Sequence, residues 1–277
     1  MNLNFSGKTV IITGASAGVG AACARAFAAH KANLVLVARG RAGLNTIAKE
    51  LRQQTDVLTV AMDVADTDQC LKLLNKAEAK FGSVDVLINN AGMHSRGDLC
   101  TVDPTAVAAM VDINLRAPMV LSCAAIPFLR RAGSGAIVMV GSLAGRAPLQ
   151  GAVTYSGTKA GLRAFAYGLA DELKDANINV GVVSPGPIDT GFIMDEIDQV
   201  EDIVFSQPMS SADEVADAIL DIAAGKQIEI SMPAFSGKLT TLSYLFPSLR
   251  RGLRSRLYEM GRKNKDKYRR RAAQVSE

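Results

Sequence analysis

Short apolar segments alternate with longer amphipathic segments along most of the chain. Segments that are apolar throughout are typical of strands buried on both faces, and seven are predicted, at 8–13, 33–39, 56–64, 84–90, 135–142, 178–186 and 227–232. Helical spacing of apolar positions predicts helices between them, at 17–31, 41–54, 66–82, 104–131, 152–176 and 212–225. Because parallel strands need crossover helices, this pattern predicts an α/β fold with one doubly wound parallel sheet and helices on both faces.

The pattern divides the chain into one domain and a basic C-terminal segment. No linker or internal repeat interrupts residues 1–234, which are predicted to form a single domain. From Arg250 to the end there are 11 Lys or Arg against 3 acidic residues, so the first 249 residues sum to about −4 in a chain of net charge +4. Residues 235–277 are therefore predicted to be a basic C-terminal extension of this domain.

The extension has the pattern of an amphipathic basic helix. One apolar stripe, opposite a face of arginines, is formed by Leu249, Leu253, Leu257 and Met260. Such a helix can dock on its own domain or on a second subunit, or it can contact an anionic membrane through residues 249–271. Nucleic acid binding is not predicted, because only two tyrosines accompany the charge and no reader motif is present. The last residues, from Lys263 onward, are expected to be mobile.

The composition indicates a globular protein without a metal centre. The chain has 277 residues, of which 48% are hydrophobic and 21% charged, as in ordinary soluble domains. No apolar run reaches the roughly 18 residues of a membrane helix, and the first residues lack the features of a secretory signal, so a cytoplasmic location is expected. The chain has only two histidines and no paired cysteine spacing, so no metal site is predicted. The thiols of Cys23, Cys70, Cys100 and Cys123 are expected to be reduced.

A glycine-rich turn follows the first predicted strand and opens the first helix. In "TGASAGVG" (13–20), Gly14, Gly18 and Gly20 allow a tight turn and the close approach of a ligand, and the free N–H groups of the helix favour a phosphate. An ordinary tight turn is the alternative. After the second strand, Ala38-Arg39 replaces the acid of NAD-binding folds, which favours NADP(H) because arginine can hold a 2′-phosphate. A solvated arginine is the other interpretation.

Several motifs in register resemble the short-chain dehydrogenase/reductase family, of the NADP-preferring type, over about residues 6–232. They are "TGASAGVG" (13–20), "NNAG" (89–92), Asn114 in "DINL", Ser142 in "VGS", "YSGTK" (155–159) and "SPGPIDT" (184–190). The resemblance implies a Rossmann-type sheet in the order 3-2-1-4-5-6-7, a nicotinamide cofactor at the carboxyl ends of the strands, and a catalytic tetrad of Asn114, Ser142, Tyr155 and Lys159.

The tetrad has a physical rationale. Tyr155 and Lys159 lie one turn apart on a predicted helix, and an ammonium stabilises phenolate, so Lys159 is predicted to lower the pKa of Tyr155 from about 10. In this interpretation Tyr155 is the general acid in reduction and the base in oxidation, and Lys159 also holds the nicotinamide ribose. Ser142 binds the substrate oxygen, and Asn114 anchors a water that relays protons. Taken alone, each residue also has an ordinary structural role.

The resemblance also implies the remaining contacts with the cofactor and the substrate. The predicted cofactor-binding residues are Gly14, Ser16, Ala17, Gly18, Val19, Gly20, Arg39, Asp63, Val64, Asn90, Ala91, Gly92, Tyr155, Lys159, Pro185, Gly186, Ile188 and Thr190. Residues 191–210 correspond to the variable substrate loop, for which a short lid helix is expected. With Ser142 and Tyr155, the pocket wall is predicted from Met93, His94, Leu143, Arg146, Leu149, Gln150, Pro187, Ile193 and Met194, with His94 as a polar residue at the rim.

These features together predict an NADP(H)-dependent oxidoreductase that interconverts a hydrophobic ketone or aldehyde and the corresponding alcohol. An NAD(H)-dependent enzyme of the same family is an alternative, and an enzyme acting on a sugar nucleotide is disfavoured by the complete tetrad and the short chain. A cofactor-binding regulator without catalysis, or a membrane-associated one, is the alternative of a different class. The resemblance also implies a homodimer or homotetramer that forms through the helices at 104–131 and 152–176.

Overall fold

A computed structural model of the chain describes residues 4–275, with side chains as far as Arg271. The first three residues of the predicted domain and the last two of the predicted extension lie outside the described residues. The strands are β1 (Thr9–Thr13), β2 (Asn33–Ala38), β3 (Val57–Ala61), β4 (Val86–Asn89), β5 (Gly135–Val140), β6 (Ile178–Pro185) and β7 (Glu229–Met232). All are parallel in one sheet of order β3-β2-β1-β4-β5-β6-β7, which confirms the predicted fold and strand order.

The helices connect successive strands and cover the sheet. They are α1 (Gly18–Ala29), α2 (Arg41–Leu51), α3 (Thr67–Phe81), α4 (Pro104–Val111), α5 (Ala117–Arg131), α6 (Val153–Glu172), α7 (Gly191–Met194), α8 (Ala212–Ala223), α9 (Ala234–Leu245) and α10 (Pro247–Val275). Short 3₁₀ turns lie at Leu143–Gly145, Lys174–Ala176 and Asp202–Ser206. The predicted helices are present. In the substrate loop, where a short lid helix was expected, the helical segments are the four-residue α7 and the 3₁₀ turn Asp202–Ser206.

Alternate residues of each central strand face opposite layers of the core. Val10 and Ile12 of β1 pack with α1, α2 and α8, whereas Ile11 packs on the other face with α3, α5 and α6. Because both faces are covered, the strands are apolar throughout, which is the pattern that predicted them. The parallel register brings the carboxyl ends of all the central strands to one edge.

The long helix predicted at 104–131 is interrupted by a π-helical turn. Residues Asp112–Arg116 form this turn between α4 and α5, and such turns occur often at functional sites. In the described part of the chain, the helix Pro104–Arg131 is long and apolar enough by composition to cross a membrane, although no uninterrupted apolar run has that length. Leu121 and Leu129 are buried in the core, so in this fold it is a core helix.

The second half of α10 docks on the domain. Lys265 is 5% exposed, and its ammonium donates to the carbonyl of Val200 (2.6 Å) and pairs with Asp202 (3.2 Å). Gly261 is buried, and α10 packs so closely on the Asp202 carbonyl at this position that a Cβ would overlap it. The described residues from Lys263 onward, predicted to be mobile, instead belong to this docked helix, because acidic residues of the loop before α8 receive its basic residues.

Candidate active site

A cavity of about 1000 Å³ opens at the carboxyl edge of the sheet. Its wall includes every predicted cofactor-binding residue, from the glycine-rich turn through Arg39 and Asp63 to Thr190. Seven predicted substrate-site residues also lie on it: Met93, His94, Ser142, Leu143, Leu149, Pro187 and Ile193. The topology therefore collects residues from distant chain segments into one cavity, as expected where strand order reverses in an open α/β sheet.

Four predicted site residues do not line the cavity. Asn114 is fully buried behind it. Arg146 turns away to pair with Glu229, Gln150 is exposed, and Met194 packs on the small apolar cluster of the substrate loop. Arg146, Gln150 and Met194 lie in segments that do border the cavity, but their side chains point to the other side of those segments.

The glycine-rich turn is held by the end of β4. Gly14 has φ of +68°, and a Cβ at this residue would lie 2.8 Å from the amide nitrogen of Asn90. That amide donates to the Thr13 carbonyl at 2.8 Å, and the Thr13 hydroxyl accepts from the backbone N–H groups of Asn90 and Ala91, both at 3.0 Å. Asn90 therefore fixes the shape of the turn. Thr13 was missed at the sequence level because a threonine inside a strand gives no local signal.

Groups suited to a dinucleotide lie along this part of the cavity. The N-terminus of α1 begins at Gly18 on the cavity wall and has no acidic residue in its first turn. Arg39 is exposed immediately after β2, where its guanidinium can reach a ligand in the cavity. Free N–H groups and a guanidinium are donors for phosphate. The donor set therefore fits the phosphate groups of a nicotinamide dinucleotide.

Lys159 and Asn114 hold the floor of the cavity in place. Lys159 is 4% exposed, and its ammonium donates to the Val140 carbonyl at 2.8 Å. The Asn114 side chain accepts from the N–H of Met93 and donates to the carbonyl of the same residue, both at 2.8 Å. Gly92 borders this ammonium, since a Cβ at Gly92 would lie 3.7 Å from it. Burial lowers the pKa of Lys159 to about 8, so its charge is easily lost.

The environment of Tyr155 differs from the prediction in one respect. Its pKa is raised because burial opposes ionisation, while Ser142 and the charge of Arg96 act in the opposite direction. The predicted lowering by Lys159 is wrong for the ligand-free protein, because that ammonium lies 5.7 Å from the ring centroid and is bonded to Val140. Tyr155 is therefore a protonated phenol at neutral pH, ready to donate.

His94 packs directly on Tyr155. The two rings are stacked, with centroids 4.4 Å apart and an interplanar angle of 18°. Burial, with the charges of Arg96 and Lys159, lowers the pKa of His94 to about 3. Because Arg96 donates to Nδ1 at 2.9 Å, the single ring proton is on Nε2, which is buried without a hydrogen-bond partner among the described residues. The predicted rim residue is thus a neutral donor beside the phenol.

Arg96 ties this histidine to the substrate loop. It is paired with Glu196 at 3.0 Å and donates to the Phe192 carbonyl at 2.8 Å. The Phe192 ring lies 6.5 Å from the ring of Tyr155. Arg96, which was not among the predicted site residues, therefore holds the short helix α7 close to the phenol.

A buried carboxylate supports the catalytic helix from below. Burial raises the pKa of Glu229, but hydrogen bonds from Arg163, Arg146, Tyr167 and Ser184 outweigh this effect and lower it to about 2. Arg163 follows Lys159 by one turn of α6 and donates to Glu229 at 2.7 Å. Glu229 therefore joins β7, β6, α6 and the loop after Ser142. Its position in a weak edge strand gave no sign of this role.

The C-terminal helices complete the cavity. From α9, Phe235 and Leu239 lie on its wall, and from α10, Leu249, Leu253 and Leu257 do so. The stripe that the sequence revealed is thus partly a lining of the active-site cavity. The predicted boundary at residue 234 separates the sheet and its helices from α9 and α10. Residues on both sides of this boundary line the same cavity.

Comparison with known proteins agrees with this geometry. The family model for short chain dehydrogenases matches residues 8–201, which is more than half of the chain. The protein belongs to this family of oxidoreductases, which act on CH–OH and C=O groups with nicotinamide cofactors. The matched region ends before α8, so α9 and α10 lie outside it.

Two curated relatives and one solved structure are similar to this chain over at least two thirds of its length. It is 34% identical over 218 residues to ketoacyl reductase HetN of Nostoc sp., covering 78% of this chain and 76% of that protein. It is 34% identical over 192 residues to an NADP-dependent 3-hydroxy acid dehydrogenase of Schizosaccharomyces pombe, covering 68% and 74%. A short-chain dehydrogenase/reductase structure from Mycobacterium marinum superposes with a TM-score of 0.77 at 26% identity, covering 83% and 95%.

Proposed function

We propose that the protein is an NADP(H)-dependent oxidoreductase that interconverts a hydrophobic carbonyl compound and its alcohol, with Tyr155 as general acid and base. The observation that carries this proposal is the placement of Tyr155, Ser142 and Lys159 on one cavity. When bound, the reduced nicotinamide supplies the hydride. The chain's own residues then have to bind the carbonyl, exclude water and move one proton.

The proton would come from Tyr155. A phenol kept protonated by burial is a competent donor to a developing alkoxide. Ser142, at the end of β5, faces the same cavity and would donate a hydrogen bond to the carbonyl oxygen. Lys159, whose pKa of about 8 lies near neutrality, would hold the nicotinamide ribose hydroxyls and return a proton to Tyr155. Asn114 orients the Met93 segment beside them.

A preference for NADP(H) is supported by Ala38 and Arg39 after β2. A carboxylate at this position would repel a 2′-phosphate, whereas a guanidinium attracts it. The Schizosaccharomyces pombe relative is named as NADP-dependent, which is in accord with the proposal.

A ketone on an acyl chain is the substrate class that the cavity favours. The cavity that contains Tyr155 has many apolar wall residues, among them Leu149 and Ile193 from the domain and Leu239, Leu253 and Leu257 from the C-terminal helices. A long apolar wall next to a proton donor suits a polar carbonyl at the end of an aliphatic chain. The names of the two relatives, ketoacyl reductase and 3-hydroxy acid dehydrogenase, point to the same class.

The test is a cofactor-oxidation screen on the purified full chain. NADPH and NADH are each supplied with β-ketoacyl thioesters of increasing length, a steroid ketone, a quinone and a small aldehyde. We expect oxidation of NADPH, faster than that of NADH, with efficiency rising with acyl length. Tight NADPH binding without turnover of any of these would instead favour a cofactor-binding regulator, and oxidation of NADH alone would overturn the NADP(H) assignment.

A further inference from the structure

The two halves of α10 differ in how their charges are satisfied. Beyond residue 257, Arg262, Lys265, Arg269 and Arg271 pair with acidic residues of the domain, and Lys263 pairs with Glu259 of α10 itself. Between residues 235 and 257 the sequence has five basic residues and no acidic one: Lys238, Arg250, Arg251, Arg254 and Arg256. None of these five makes an ion pair with the part of the chain that the structure describes.

The same segment carries a concentration of exposed apolar side chains. At the junction of α9 and α10, Tyr244 is 62% exposed, Leu245 66% and Phe246 54%. Leu249 and Leu253 follow on α10, both 44% exposed. The three junction residues do not line the cavity, so a need to contact substrate does not explain them. An apolar surface of this kind next to unpaired cations indicates a binding site.

We propose that this surface, residues 235–257 with the junction Tyr244–Phe246 at its tip, docks on an anionic lipid bilayer. Aromatic and leucine side chains enter the boundary between headgroups and acyl chains, while the long side chains of the arginines in the same segment reach anionic headgroups. The ion pairs of the second half of α10 hold the surface rigidly on the domain. Docking therefore needs no rearrangement of the domain.

A second copy of the chain fits this surface less well. In a two-fold symmetric interface the same patch meets itself. Five cations would then face five cations, with no acidic residue between 235 and 257 to receive them. A membrane rich in anionic lipid supplies the missing negative charge.

The position of the cavity gives the docking a consequence for the substrate. Leu249 and Leu253 are both exposed and part of the cavity wall, so the mouth of the cavity lies on the docking surface. A carbonyl compound dissolved in the membrane could enter from the lipid side. This consequence depends on the proposed function, whereas docking itself does not.

Vesicle co-sedimentation of the full chain tests the docking directly. Vesicles of phosphatidylcholine are compared with vesicles that contain about one third phosphatidylglycerol. The double variants are Leu245→Asp/Phe246→Asp and Arg251→Glu/Arg254→Glu. Leu71→Asp is the matched control, because Leu71 on α3 is 48% exposed and lies outside the surface. Circular dichroism and thermal melting of each variant establish that it is folded.

We expect binding to the anionic vesicles that weakens in high salt. Each double variant should lower the partition coefficient at least about tenfold, while the control binds like the wild type. If one double variant fails to fold, the other decides.

Equal binding of variants and wild type, or no binding by the wild type, overturns the proposal. It is also overturned if the junction variant loses only self-association in size-exclusion chromatography. NADPH turnover of a soluble short-chain ketone is measured alongside, so a failed activity is distinguished from a failed docking.

Discussion

Replacing Lys159 with Met should reveal the cost of burying its ammonium. Burial lowers the pKa of Lys159 from 10.5 to about 8, a difference that corresponds to about 3 kcal/mol. The folded state disfavours the charged amine, so this penalty is fully present below pH 8. It declines between pH 8 and 10.5, because there the unfolded chain still binds the proton that the folded chain has lost.

The expected signature is a stability difference that changes with pH. The variant lacks the cost of burying the ammonium, but it also leaves the Val140 carbonyl without its donor. The lost hydrogen bond lowers the free energy of unfolding by about 1 to 3 kcal/mol, and this loss does not depend on pH. Relative to the wild type, Lys159→Met should therefore be more favourable at pH 7 than at pH 10, by about 2 to 3 kcal/mol.

Urea denaturation of the ligand-free protein at pH 7, 8, 9 and 10 measures this difference. Lys72→Met is the matched control, because Lys72 is exposed on α3, and its effect should not depend on pH in the same way. A stability difference for Lys159→Met that stays constant from pH 7 to 10, or that grows more favourable with pH, would refute the reasoning.

Three further substitutions probe other parts of the account. Arg39→Asp should raise the KM for NADPH about 10- to 100-fold and leave that for NADH unchanged or lower, in steady-state kinetics with both cofactors. Glu229→Gln should cost about 3 to 5 kcal/mol in urea unfolding, whereas Glu50→Gln, which breaks an exposed ion pair, should cost less than about 1 kcal/mol. Gly261→Val should detach the second half of α10 from Asp202 and expose this helix to limited proteolysis. An unchanged cleavage pattern would contradict the packing of α10 on the domain.

The fold was predictable because its signals are local and repeated. Segments such as 33–39 and 84–90 are apolar throughout, which only a strand covered on both faces requires, and the helices between them fix the parallel connections. Helical spacing predicted that Tyr155 and Lys159 lie one turn apart on one helix, as they do on α6, whereas their place in the site was implied by the resemblance of several motifs to the family. Asp66 and Gly82, which begin and end α3, are further local signals that the structure retains.

What the sequence did not reveal depends on contacts between distant segments. Glu229 lies 66 residues from Arg163 in the chain, and their hydrogen bond exists only because β7 adds to the sheet edge. His94 stacks on Tyr155 across a similar separation. The raised pKa of the phenol likewise depends on how deeply α6 is covered, and no spacing of residues reports burial. That α10 lines the cavity could not be predicted either, because its position depends on ion pairs of its second half with Asp198 and Asp202.

Turnover by the Tyr155→Phe variant tests the central claim most directly. With NADPH and the best ketone from the screen, we expect kcat to fall by about 10² to 10⁴, the range for loss of a positioned proton donor. NADPH affinity, measured by titration of its fluorescence, should stay nearly the same, since only a hydroxyl is removed. A variant that reduces the ketone at the wild-type rate would contradict the assignment of Tyr155 as the acid.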